Sequence, residues 1–162
     1  MTSIELDYSE ELIKDTVKKC WWRQIGPTFF VVLSVLAIFV IYRIVNDDRT
    51  WFVGLIGTVV IIGAVTILTT YIVQMKRAVM RLKRMGNPRA TFEYSESYFK
   101  VTSDIGSSEF KWSLISKIMC LEKAWVIYFS ENETMTLPIS NFNEESKAFI
   151  LSKVEENKGK IV

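Results

Sequence analysis

Histidine is absent from all 162 residues, which removes the commonest general base and the commonest metal ligand at once. Cysteine is nearly absent. Cys20 and Cys120 lie far apart without metal-type spacing, and on the cytoplasmic side of a membrane both should stay reduced, as small semi-buried apolar residues. No metal and no cofactor are therefore expected. The most informative absence is of charge. Gln24 to Tyr42 and Thr50 to Met75 hold no Asp, Glu, Lys or Arg. As helices, runs of about 19 and about 26 residues reach ~28 and ~39 Å, enough for a ~30 Å hydrocarbon core. A helix satisfies its own backbone hydrogen bonds, so hydrocarbon is a tolerable solvent for it. The lipid bilayer is the first expected partner.

The chain is 49% hydrophobic, which excludes disorder. Its expected segments are 1–24, an N-terminal strand and juxtamembrane helix; 25–45 and 51–73, two transmembrane helices; 74–89, a basic helix extension and linker; and 90–162, a β domain with a C-terminal helix. Only the last is long enough for its own core. The net charge of +2 conceals segregation: Lys76, Arg77, Arg81, Lys83, Arg84 and Arg89 face no acid between 74 and 89, whereas eight bases meet eleven acids from Ala90 onward. A mildly acidic domain argues against nucleic acid, which needs a basic face.

Lys14, Lys18, Lys19 and Arg23 precede the first run and the basic cluster follows the second. The positive-inside rule thus puts both termini in the cytoplasm of a multi-pass cell-membrane protein, with Asn46 to Arg49 outside. Mixed charge before the first run reads as an uncleaved anchor and not a signal peptide. Trp21, Trp22, Tyr42, Trp51 and Tyr71 sit where interfacial aromatics belong. Gly54, Gly57, Gly63, Thr66 and Thr70 are candidate helix-packing residues, since small side chains let helices approach closely. Lys76, Arg77, Arg81, Lys83 and Arg84 are candidate lipid-headgroup contacts, each contributing ~1 kcal/mol near an anionic surface.

Asp7 to Gln24 reads as a helix with Asp7 and Glu10 as a capping box. Ser3 to Leu6 before it alternates like a short strand. From Ala90 the period becomes two, with strands expected at Thr91–Ser95, Tyr98–Thr102, Ser108–Trp112, Ser116–Leu121, Ala124–Ser130 and Thr134–Leu137. Turns too short for crossover helices indicate antiparallel pairing. Asn143 to Asn157 reads as an amphipathic helix started by Asn143 or Ser140. Six strands and a closing helix form a small curved sheet; a seventh from Ser3–Leu6 would match a pleckstrin-homology-like (PH-like) architecture interrupted by the apolar hairpin. The fold class is thus an α+β membrane protein: a two-helix transmembrane hairpin plus a small antiparallel-β cytoplasmic domain with a C-terminal helix.

This order of elements resembles the bacterial YcxB-like family. Phe110-Lys111-Trp112-Ser113-Leu114-Ile115 is similar to its hydrophobic-x-Trp segment, and Leu137-Pro138-Ile139 with Phe142 and Glu144-Glu145 to its Ile-Pro-x-x-x-Phe segment and acidic helix start. Ser140-Asn141 departs from the basic residue expected there. The resemblance implies a PH-like fold and no catalytic residues. Trp112, Pro138 and Phe142 read as a domain-core motif.

Three functions compete. The first is a non-enzymatic binding or scaffolding module that presents its domain to a protein partner or a second copy. The second is a small membrane accessory or immunity-type protein acting through its hairpin. An enzyme is the third and least favoured: without His, Lys111 with Ser113 is the only Ser/Lys neighbourhood noted, and alternation puts both opposite Trp112.

Overall fold

The computed structural model describes residues 2–47, 50–130 and 133–162. The turns expected at 46–49 and 131–133 fall partly outside the described residues. Two compact units emerge: the chain up to Thr16 joined with Ala78–Val162, and Val17–Arg77.

In the first unit, β1 (Thr2–Asp7), β2 (Arg89–Tyr94), β3 (Tyr98–Ser103) and β4 (Gly106–Lys111) form an antiparallel sheet in that order. β1 pairs with β2 along its whole length, with Ile4 opposite Phe92 and Leu6 opposite Ala90. Alternation sends Leu6, Ala90, Phe92, Tyr94 and Phe99 inward. The second sheet has the order β7 (Thr134–Pro138), β6 (Ala124–Tyr128), β5 (Lys117–Cys120) and β8 (Lys160–Ile161). β6 is buried at every residue, as a central strand covered on both faces must be. The expectation of one curved sheet gives way to two, with α4 (Glu144–Glu156) closing the core through Ile150 and Val154.

Local chemistry accounts for the element ends. α1 (Glu10–Ile25) is capped by Ser9, whose Oγ accepts from the Leu12 N–H at 3.1 Å. Asp7, the residue expected to cap it, is instead the last residue of β1, and its carboxylate meets Arg89 Nε at 3.2 Å. Asn143 caps α4, its Oδ1 accepting from Ser146 N–H at 2.8 Å. Trp112 begins a 3-10 turn (Trp112–Leu114) and does not end the strand; its indole N–H donates to the Ser95 carbonyl at 2.9 Å.

β8 was not expected from the sequence. α4 stops in a Schellman arrangement: Lys158 N–H donates to Glu155 O, Gly159 N–H to Val154 O, and Lys158 takes a left-handed φ of 64°. A Cβ at Gly159 would lie 2.6 Å from Val154 Cγ1 and 3.1 Å from the Ile115 carbonyl, so only glycine lets the chain turn onto β5 here. There Lys160 N–H donates to Ser116 O, Val162 N–H to Ile118 O, and Cys120 N–H to Val162 O. Each such bond stabilises by about 0.5–1.5 kcal/mol net, while each residue held costs about 1–2 kcal/mol of backbone entropy.

The second unit contains α2 (Pro27–Val45) and the first part of α3 (Trp51–Arg84). Both helices are long and apolar enough to cross a membrane by length and composition, with mean hydropathies of 2.5 and 2.4 over their most apolar stretches. Gly26 at φ 74° and Pro27 separate α1 from α2. Among the described residues, α2 buries none and α3 buries only Val53. Trp21 packs edge-on against both Phe30 and Tyr71, at 6.0 and 5.1 Å between centroids, so the two ends of the hairpin meet.

Tyr8, just past β1, donates its phenol to the Thr136 carbonyl of β7 at 3.1 Å. Burial pushes its pKa from 10.0 up to about 12. The unfolded chain releases that proton first, so the contribution is intact below pH 10 and is lost as the pH rises towards 12. A rise of that size corresponds to about 2–3 kcal/mol. Chemical denaturation between pH 8 and 12 should show Tyr8→Phe losing less stability over pH 10–12 than the unsubstituted chain. Parallel curves would contradict this.

Candidate functional site

β2 and β3 are joined by a tight turn through Ser95, Glu96 and Ser97, and the first turns of α4 pass beside it. Together with Thr2 of β1 they line a cavity of about 510 Å³, whose walls include Tyr94, Asn143, Glu145, Ser146 and Phe149. Its floor is aromatic: the Tyr94 and Phe149 rings lie 5.1 Å apart. Tyr94 Oη and Ser146 Oγ hydrogen-bond at 2.7 Å, and both residues are buried. That one bond uses one of the pair's two hydroxyl protons.

The rim is acidic. Glu96 pairs with Lys153 Nζ at 2.6 Å, and Glu156 holds the same ammonium at 2.9 Å from the other side. Lys153 also stands 5.6 Å from the centre of the Phe149 ring. Its pKa is raised, first by the hydrogen bond it donates to Glu96 and then by the one it donates to Glu156. Glu145 stays exposed at the mouth. With Glu96 already paired to Lys153, Glu145 is the lining carboxylate that remains exposed beside the Tyr94 and Phe149 rings.

The residues singled out from the sequence divide into three places. Trp112, Pro138 and Phe142 are all buried in the core of the first unit, where Phe92 stands 5.7 Å from Phe142 and Phe99 stands 4.9 Å from Trp112. Lys111 and Ser113 are exposed while Trp112 between them is buried. Lys76 and Arg77 lie in the second unit and Arg81, Lys83 and Arg84 in the first; all five are exposed along the end of α3. Within the first unit, Glu10 has a carboxyl pKa below its usual range, chiefly through its hydrogen bond to Lys14, with Lys83 adding a smaller attraction.

The packing residues are not equivalent. A Cβ at Gly63 would lie 3.1 Å from Leu33 Cδ1, and one at Gly57 3.7 Å from Val40 Cγ1, so these two face α2. A Cβ at Gly54 would meet nothing within 4 Å. Thr66 and Thr70 are exposed and turn their hydroxyls back onto Ile62 O and Thr66 O. Sequence reasoning missed Tyr94, Ser146 and Phe149, because Tyr94 and Ser146 stand 52 residues apart and no local pattern links them.

Comparison of the chain with protein-family models, with curated proteins and with solved structures finds no match in any of the three.

Gly63→Leu should destabilise the detergent-solubilised hairpin by about 1–3 kcal/mol through overpacking against Leu33. Gly54→Leu should be neutral or slightly stabilising, because Leu favours helix by up to ~1 kcal/mol over Gly. Thermal unfolding followed by tryptophan fluorescence separates the two, and equal losses would contradict the packing described.

Proposed function

We propose that this chain is a membrane-anchored, non-enzymatic binding or scaffolding protein that presents a PH-like domain on the cytoplasmic face. The observation that carries the reading is the β1–β2 pairing, in which residues before both apolar helices complete a sheet built after them. The domain is thereby joined to its anchor at two points in the chain. Four strands, then three, then a helix is the order expected of a PH-like domain, and it supports that assignment together with the resemblance to the YcxB-like family.

Insertion of the hairpin is supported by its surface. Val31, Val35, Ile38, Ile61, Val65 and Leu68 are each more than half exposed, apolar surface that water would strongly disfavour and lipid tails accept. The basic flanks orient both termini to the cytoplasm. Lys76, Arg77, Arg81, Lys83 and Arg84 then lie at the headgroup level and add attraction to anionic lipid.

Affinity capture from native membranes tests the reading. The full chain should recover a partner that a chain lacking 90–162 does not. Identical recovery by the two forms would overturn the proposal.

A further inference from the structure

β5 lies between β6 and β8 in the second sheet. Its inner side is bonded to β6, while its outer edge carries the chain's own Lys160–Val162, running parallel. The paired stretch is two residues long, and Ile161 and Val162 remain 38% and 50% exposed. The register places Lys117 opposite Lys160. Like charges directly paired across a sheet are destabilising. Lys117 has settled its ammonium over the Tyr128 ring at 4.3 Å, whereas the Lys160 ammonium makes no hydrogen bond or ion pair among the described residues. Beneath the resident strand the edge has backbone partners at Ser116 O, Ile118 O and Cys120 N–H, and a cation whose resident partner has the wrong sign.

We propose that the outer edge of β5 is a strand-acceptor site for an extended peptide segment of a partner protein, running parallel to β5, with an acidic residue opposite Lys117 followed by β-branched apolar residues. Lys160–Val162 is its built-in, poorly matched occupant, covering an edge that would otherwise invite aggregation. A strand with a carboxylate at the position of Lys160 gains the same backbone bonds and turns a repulsion into an attraction. The inference rests on the reading of the domain as a binding module and assigns it a contact surface.

The test uses the full chain in detergent and two labelled, acetylated peptides copying residues 157–162, one native and one carrying Lys160→Glu, read by fluorescence anisotropy. Lys160→Pro combined with Val162→Pro removes the two N–H donors that hold the resident strand. Gly159→Val, which displaces it sterically, is the independent second variant. Both variants should bind the Glu peptide at least about tenfold more tightly than the unsubstituted chain, because a resident occupant lowers apparent affinity by the fraction of time it closes the site. They should prefer the Glu peptide over the Lys peptide by about threefold, and Lys117→Glu should invert that preference.

No binding by either variant, with native tryptophan fluorescence retained, overturns the assignment of the edge. Equal binding of the two peptides overturns the acidic partner. A dimer of the unsubstituted chain that disappears in both variants gives the edge to a second copy and equally overturns the proposal. If the peptides fail while membrane capture still recovers a partner, the edge assignment alone falls.

Discussion

Strand β2 has two edges, and one of them is satisfied only by residues that precede both apolar helices. β3 supplies one set of backbone partners from the following hairpin. The other set comes from Thr2–Asp7, more than eighty residues upstream. Without β1, the N–H and C=O groups along that side of β2 would lack their partners, and Phe92, at the centre of the aromatic core, would lose the cover of Ile4 and Leu6. The contacts that follow depend on this pairing. Tyr8 reaches Thr136 because β1 ends beside β7, and Asn141 donates to the Glu5 carbonyl at 2.9 Å across the same corner.

Such a long-range pairing carries a loop-closure cost that grows only slowly with length, and the hairpin reduces it further. Trp21 near the end of α1 touches Tyr71 late in α3, so the polypeptide leaves and re-enters the second unit at neighbouring points. Once the two helices pack through Gly57 and Gly63, the separation of β1 and β2 in the chain largely ceases to be a separation in space. The hairpin therefore has a folding role. Packing of the two apolar helices and completion of the β domain become linked steps, since β1 is synthesised first and must wait for β2.

Much of this architecture is legible in the sequence where physics is local. The lack of charge from Gln24 to Tyr42 and from Thr50 to Met75 marks the two helices. Alternation at Thr91–Ser95 and Tyr98–Thr102 marks strands within a residue or two of their observed ends. Asn143 followed by two glutamates marks a helix start. What stays hidden is decided at a distance. Asp7 looks like a cap, yet β1 claims it and leaves the role to Ser9. Trp112 looks like a strand end, but burying its ring among Phe99 and Phe149 while its N–H reaches Ser95 requires a 3-10 turn. β8 carries too few residues to show a period, and the Tyr94–Ser146 pair joins elements that share no local pattern.

The most direct measurement is an oxidative cross-link between Ser3 and Glu93, which stand opposite each other in β1 and β2. In a chain carrying Cys20→Ser and Cys120→Ser, the pair Ser3→Cys and Glu93→Cys should close an intramolecular disulfide, because directly opposed antiparallel residues hold their Cα atoms about 4.5–5.5 Å apart. Proteolysis between the two positions should then leave the N-terminal and C-terminal fragments joined until a reductant is added. Fragments that separate without reductant, or cross-links found only between chains, would contradict a domain assembled across the hairpin.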